Sequence, residues 1–276
     1  MTLTRLAPFA FVGLALAASG CHHSHGGGAS SAPAANDNAP LTEAGIAIPI
    51  APGKTEAWRS ALLELLGPRY AEYESSRERF GLTSQMTFLQ RTPMGDFACL
   101  IHMTGADVRA SFHAMSTSKD PWDVKWRTLT QDLHGFDFGQ GAKVTPTVVP
   151  LYGMDTESKE RGSAFMFLAP LGPDGAERLR TIAPAIAGGR HADYVRARAA
   201  IGVHREAAFL ESTGRGDALV VYWLADDPVA SLRSLAASRD PFDEWLRGEA
   251  EQAHPIPFDA VVDIASKNAL IATYPH

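Results

Sequence analysis

The sequence has 276 residues and contains groups of charged and aromatic residues spaced four positions apart. The side chains of one group are of types that bind anions. Arg69, Tyr73 and Arg77 would lie along one face of a helix, with two guanidinium groups flanking a phenol. This set suits a carboxylate ligand, because guanidinium binds carboxylates through paired hydrogen bonds. The alternative is a solvated helix face paired with neighbouring glutamates. The same residue types return at Arg190, Tyr194 and Arg198.

A second stripe combines an acid, a cation and an imidazole. Asp123, Arg127 and His134 are separated by four and seven positions, so they fall near one line along a helix. An imidazole in a cavity could act as an acid or base, or as a ligand to a haem iron. The alternative is an ion pair and a helix C-terminal histidine with structural roles only. The same types recur at Asp243, Arg247 and His254.

His102 is a third candidate, in a run typical of a β-strand. Ala98, Leu100 and His102 would share one face of that strand. The counterpart of His102 later in the chain is Trp223, so two cavities lined by this face would differ in polarity. A histidine that only packs and hydrogen-bonds is the alternative. Further positions expected at the same interior are Gln85, Thr87, Glu206 and Ala208.

These candidates recur because the chain contains an internal repeat. Residues 67–73 resemble residues 188–194 at an offset of 121. After one deletion the offset becomes 120, and the Asp-Pro-aromatic-Asp motif at 120–123 returns at 240–243. The register covers most of residues 46–264, so chance is a poor explanation. The sequence therefore predicts two copies of one module of domain size.

Each copy reads as strand, helix, strand, strand, helix, strand. Gly67 and Pro68 should break the first helix, because proline lacks the donor that the helix needs. Asp120 is placed to cap the second helix. The final strands are predicted to follow Gly135 in the first copy and to cover 258–264 in the second. This order predicts the ferredoxin-like plait, a four-stranded antiparallel sheet with helices on one face.

The open faces of the two sheets are expected to cover each other. This packing would produce an α+β fold of two tandem ferredoxin-like modules, an intramolecular dimeric α/β barrel with an interior cavity. The predicted module boundaries are 45–150 and 160–270.

A resemblance to a known family is carried by residues 67–80, 88–89, 95–96 and 120–135. They resemble a family of small dimeric α/β-barrel proteins that is similar in fold to the antibiotic-biosynthesis monooxygenases. The resemblance covers both copies and is clearer in the first. It implies the barrel and a small-molecule cavity. It implies no catalytic residue, because the superfamily contains cofactor-free oxygenases, haem-dependent members and proteins of unknown activity.

The N-terminal segment is typical of an export signal followed by a lipidation site. Its start is positively charged, and residues 6–18 are apolar but too few to cross about 30 Å of hydrocarbon. Ala-Ser-Gly precedes Cys21, as in the lipobox of bacterial lipoproteins, whose cysteine is acylated. We expect a signal at 1–20, with a lipid anchor and flexible linker at 21–44. This predicts a location on the periplasmic side of the cell envelope.

Three histidines stand at the root of the linker, at His22, His23 and His25. Imidazoles this close together could share a transition-metal ion. The sequence adds no carboxylate or thiolate to complete the shell, and a solvated linker is the alternative.

Composition excludes several classes of protein. There are 25 Lys and Arg against 31 Asp and Glu, without a sustained basic run, which argues against nucleic-acid binding. Two cysteines exclude a disulfide framework, and Cys99 is expected in the core rather than as a nucleophile. A mean hydropathy of -0.09 excludes a polytopic membrane protein. Three functions stay open: a tethered small-molecule binding protein, a cofactor-free oxygenase or haem enzyme, and a structural lipoprotein.

Overall fold

The computed structural model describes residues 40–135, 147–156, 162–213 and 216–274. The signal segment, Cys21, His22, His23 and His25 lie outside the described residues. The first half contains β1 (Glu43–Pro49), α1 (Thr55–Leu66), α2 (Tyr70–Arg79), β2 (Leu82–Thr92), β3 (Gly95–Thr104), α3 (Val108–Thr117) and α4 (Pro121–His134). Strand β4 (Thr147–Asp155) completes the first half. The second half contains β5 (Ser163–Pro170), α5 (Gly175–Ala187), α6 (His191–Ala200), β6 (Val203–Thr213), β7 (Gly216–Ala225), α7 (Pro228–Ala237), α8 (Pro241–Ala253), α9 (Phe258–Ala265) and β8 (Ala269–Tyr274).

The strands form two four-stranded antiparallel sheets, which confirms the predicted fold class. Their orders are β1-β3-β2-β8 and β4-β6-β7-β5. Each sheet takes its fourth strand from the other half of the chain: Gln85 of β2 pairs with Tyr274, and Thr147 of β4 pairs with Ser212 of β6. The two halves are therefore joined by strand exchange as well as by packing. We call the sheet with β8 and its helices α1–α4 the first module, and the other sheet with α5–α9 the second module.

The prediction of a final strand at 258–264 is wrong. This run forms α9, whose buried residues Val261, Val262 and Ala265 have helical spacing. The strand follows at β8. In the first half the region directly after Gly135 lies outside the described residues, and β4 begins at Thr147.

The helix signals read from the sequence are confirmed. Helix α1 ends at Leu66, and α2 begins at Tyr70, as expected from the Gly67 and Pro68 between them. At the start of α4, Asp120 accepts a hydrogen bond from the Trp122 N–H at 2.9 Å. Helix α8 repeats this cap. Among the described helices, none is both long enough and apolar enough to span a membrane.

The two sheets pack face to face through a core of their own. Its buried members are Ala47, Phe88, Cys99, Ile101, Met166, Leu168, Phe209, Val220 and Tyr222. These side chains fill the space in which the sequence predicted the cavity, and that expectation is wrong. Successive residues of a strand face opposite sides, so Cys99 and Ile101 face the other sheet while Leu100 and His102 face the helices. The cavities described below lie on that helical side.

Candidate binding cavity of the first module

The first module has a cavity of about 100 Å³ between its sheet and helices α1–α4. Apolar walls come from side chains that include Ile46, Trp58, Leu62, Leu100, Phe112 and Trp126. Polar side chains at the cavity include Tyr73, Arg77, Gln85, Thr87, His102 and His134. Because one water needs about 10–15 Å³ measured in this way, the space suits several waters or one small ring-containing molecule.

Arg77 is a buried cation at this cavity and is only 2% exposed. Its Nη1 donates to Gln85 Oε1 at 3.3 Å and its Nη2 donates to Ser76 Oγ at 3.3 Å. Its Nε has no hydrogen-bond partner among the described residues. The guanidinium also lies 4.8 Å from the centre of the Tyr73 ring. Burial lowers the pKa of Arg77, and Tyr73 and Asp123 only partly oppose this effect.

The equivalent cation of the second module, Arg198, is compensated. Its Nε donates to Glu206 at 2.6 Å, and its Nη1 donates to Asp243 at 3.0 Å. Burial opposes the charge, but these two carboxylates raise the pKa of Arg198. Gln85 occupies the position that corresponds to Glu206. Arg77 therefore lacks the carboxylate partner that Glu206 supplies to Arg198.

The first module also contains the second carboxylate, Asp123, but Ser76 separates it from Arg77. Ser76 donates to Asp123 at 2.7 Å and stands between it and the guanidinium. Asp123 also receives hydrogen bonds from Arg79 at 2.9 Å and from Ser118 at 2.6 Å. The second copy has Ala197 in place of Ser76, which lets its arginine reach the equivalent aspartate. Among the described residues, no carboxylate lies within ion-pairing distance of Arg77.

His102 lines the same cavity and is 3% exposed. Burial and the nearby Arg77 lower the pKa of His102 to about 3, so the ring is neutral at pH 7. Its Nδ1 has no hydrogen-bond partner in the described part of the chain. The ring meets Phe112 edge-on at 5.2 Å between centres. In the second module Trp223 fills this position, and the cavity there is about 60 Å³.

The other predicted arginines have different roles. Arg69 is partly exposed, pairs with Glu72 and lies 5.9 Å from the Trp122 ring. Arg127 reaches the cavity, but its guanidinium donates to the backbone oxygens of Met115 and Ser118 and ties α4 to the end of α3. Arg247 makes the same pair of backbone contacts in the second module. Arg190 lies over the ring of Trp245 at 4.1 Å.

The predicted histidines at the ends of α4 and α8 join each helix to its sheet. His134 Nδ1 lies 2.9 Å from the Pro49 oxygen, and His254 Nδ1 lies 2.7 Å from the Pro170 oxygen. Burial lowers the pKa of both rings. Tyr194 is fully buried in the core of the second module.

A haem does not fit these surroundings. His134 lines a cavity of about 100 Å³ and His254 lines one of about 60 Å³, and both are much smaller than a porphyrin. Within the described ranges, no group of three or more His, Cys, Asp or Glu side chains could hold a metal ion.

The sequence patterns did not identify the residues that make Arg77 and Arg198 differ in their charge partners. Gln85 and Glu206 were expected at the interior, but not as alternative partners of an arginine. Ser76 was not a candidate. The signal that could have found it is the repeat itself, because an offset of 121 aligns Ser76 with Ala197 beside two aligned arginines.

Comparison with known proteins assigns no family to the chain. No family model matches it, and no curated protein matches it. A proposed monooxygenase of Fusobacterium nucleatum subsp. nucleatum is similar in structure, with 9% identity, a TM-score of 0.44, and coverage of 84% of this chain and 92% of that one. An anthrone oxidase-like protein has 11% identity, a TM-score of 0.37, and coverage of 84% and 91%. Similarities at this level do not assign an activity to this chain.

Proposed function

We propose that the first module binds a small, largely apolar molecule in its helix-side cavity. The observation that carries this proposal is a pair of unpartnered buried polar atoms, Arg77 Nε and His102 Nδ1, at one cavity with aromatic walls. Buried polar atoms in native proteins nearly always have a partner, and a bound molecule would supply one. Apolar walls with few polar groups are also typical of small-molecule sites.

The second module has a structural role in this proposal. Its cavity is the smaller of the two, its guanidinium is paired with Glu206 and Asp243, and the bulky Trp223 replaces His102. The second module thus has the paired arginine and the smaller cavity, and the first module has the larger cavity and an arginine without a carboxylate partner among the described residues.

The binding proposal is tested by calorimetric titration of the full chain with neutral one-ring and two-ring compounds, benzamide and 2-naphthamide. His102→Trp introduces the side chain that the second module carries at this position, and it should abolish the binding heat by filling the cavity. Trp223→Phe is the matched control and should leave binding unchanged. The proposal fails if wild type binds neither these amides nor the carboxylates with the same rings, or if His102→Trp binds as well as wild type does.

We also propose that the protein is exported and anchored by an acyl chain on Cys21, with the linker holding an acidic body away from anionic headgroups; without residues 1–20 the chain has 24 Lys and Arg against 31 Asp and Glu, a formal charge of -7. The support is the N-terminal sequence pattern alone. Metabolic labelling with palmitate should mark wild type and leave Cys21→Ser unlabelled. Unlabelled wild type released into the soluble fraction would refute the anchor.

A cofactor-independent oxygenase is the second candidate, favoured by the buried guanidinium of Arg77 at the cavity. Such an enzyme would bind the anion of a substrate that has already lost an acidic C–H proton to water, and the guanidinium would stabilise this anion. The one-ring compound cyclohexane-1,3-dione is a suitable probe, because its oxidation by O₂ gives the 1,2,3-trione and one water. Catalysed oxygen consumption should fall about 100-fold in Arg77→Met. An equal rate in wild type, in this variant and in buffer would exclude the enzyme.

A further inference from the structure

We infer that the molecule bound in the first module is a monoanion whose carboxylate-type group pairs with Arg77; this inference rests on the proposed binding function. The sequence pattern suggested two arginines on one helix face as the anion site, but Arg69 lies outside the cavity and pairs with Glu72. The structure assigns anion binding to the single buried guanidinium of Arg77, which has no carboxylate partner among the described residues.

Burying the charge of Arg77 costs free energy unless the charge is paired. A guanidinium removed from water is stabilised by a carboxylate or by several good hydrogen bonds. The described hydrogen bonds of Arg77 go to two neutral oxygens, both at 3.3 Å. No acidic residue is among the described side chains that line the cavity. The neutral His102 and the Tyr73 phenol, whose pKa burial raises, supply no negative charge either.

The two copies differ in the charge that they place beside the equivalent arginines. Glu206 lines the cavity of the second module and pairs there with Arg198. The same backbone position in the first module carries Gln85, which has nearly the same shape without the charge. One of the two carboxylates that pair with Arg198 is thus absent in the first module, and the other, Asp123, is connected to Arg77 only through Ser76. An anionic ligand can supply the missing charge.

The donors and the walls of the cavity restrict the shape of the ligand. Guanidinium binds a planar carboxylate best through two parallel N–H donors, and the unpartnered Nε of Arg77 is one such donor. Arg127, the other arginine at the cavity, holds two backbone oxygens at 2.9 and 2.6 Å, so Arg77 is the described cation at the cavity with an unpartnered buried donor for the charged group of the ligand. The walls are apolar and include Trp58 and Trp126. These features fit an aromatic monocarboxylate of one or two rings.

The test compares matched pairs of probes that differ only in charge: benzoate with benzamide, and 2-naphthoate with 2-naphthamide. Calorimetric titration of the full chain should give wild type a preference of about 10- to 100-fold for the carboxylates, the usual value of a hydrogen bond to a charged group. Gln85→Glu should abolish this preference and still bind the amides. Arg77→Met should do the same, because an apolar side chain of similar volume is tolerated in place of a buried ion. Glu206→Gln in the second module is the matched control and should keep the preference.

The outcomes separate this inference from the proposed function. Equal binding of carboxylates and amides by wild type overturns the inference and leaves the binding function standing. Binding of neither overturns the binding function itself. Thermal unfolding of each variant identifies misfolding, and a folded Gln85→Glu that retains the carboxylate preference would show that Arg77 does not carry it.

Discussion

Replacing Glu211 with glutamine should stabilise the protein at and above neutral pH. Glu211 lies between the two sheets, where its Oε2 accepts from the Ala47 N–H at 2.8 Å and its Oε1 has no partner among the described residues. At the equivalent position in the other copy, Gln90 accepts from the Leu168 N–H at 2.7 Å and donates to the Leu168 oxygen at 2.8 Å. Only a protonated Glu211 could donate in the same way, because an ionised carboxylate accepts only.

The size of the effect follows from the pKa. Burial raises the pKa of Glu211 from 4.5 to about 8. The folded state therefore holds a proton that the unfolded state loses, so this contribution is complete below about pH 4.5 and disappears as the pH rises to about 8. The full difference corresponds to roughly 5 kcal/mol at about 1.36 kcal/mol per pKa unit, most of it lost between pH 5 and pH 8. That is a large part of the 5–15 kcal/mol typical of a domain.

The assay is urea unfolding of wild type and Glu211→Gln between pH 5 and pH 9 at constant ionic strength. Wild type should lose about 3–4 kcal/mol more than the variant over this range, since glutamine does not ionise. Groups common to both proteins cancel in the difference. Gln90→Glu is the mirror control and should add a second pH-dependent loss. A difference between wild type and Glu211→Gln that is constant from pH 5 to pH 9 would refute the argument.

Three further predictions concern packing and charge. Glu206→Ala should lower the free energy of unfolding by about 3–5 kcal/mol in thermal melts, because it removes a carboxylate partner from the buried guanidinium of Arg198. A loss under 1 kcal/mol would contradict the pairing. Gly45→Ala should cost about 1–3 kcal/mol, because a Cβ there would stand 2.7 Å from the ring of Phe209, whereas Gly105→Ala meets no atom within 4 Å and should be neutral in the same measurement. The Cys99 thiol should react with a disulfide reagent only after unfolding, because burial raises its pKa well above the usual range; rapid labelling of the folded protein at pH 8 would contradict this.

Local signals made much of the fold predictable. The duplication is visible in the residues themselves, and the helix break at Pro68 and the cap at Asp120 depend only on neighbours in the chain. The apolar run at 258–264 failed as a signal because a short apolar segment fits either a strand or a buried helix. The exchange of β4 and β8 was equally beyond reach, since strand pairing depends on residues far apart in the chain.

The sequence by itself determined which residues share a strand face, but not what that face meets. Alternation grouped His102 with Leu100, and only the packing of two sheets showed that this face meets helices. Likewise, the repeat presents Arg77 and Arg198 as equivalents. Tertiary structure alone decided that one is neutralised and the other is not, because the relevant partners come from β2, β6, α4 and α8 and meet only in the folded chain.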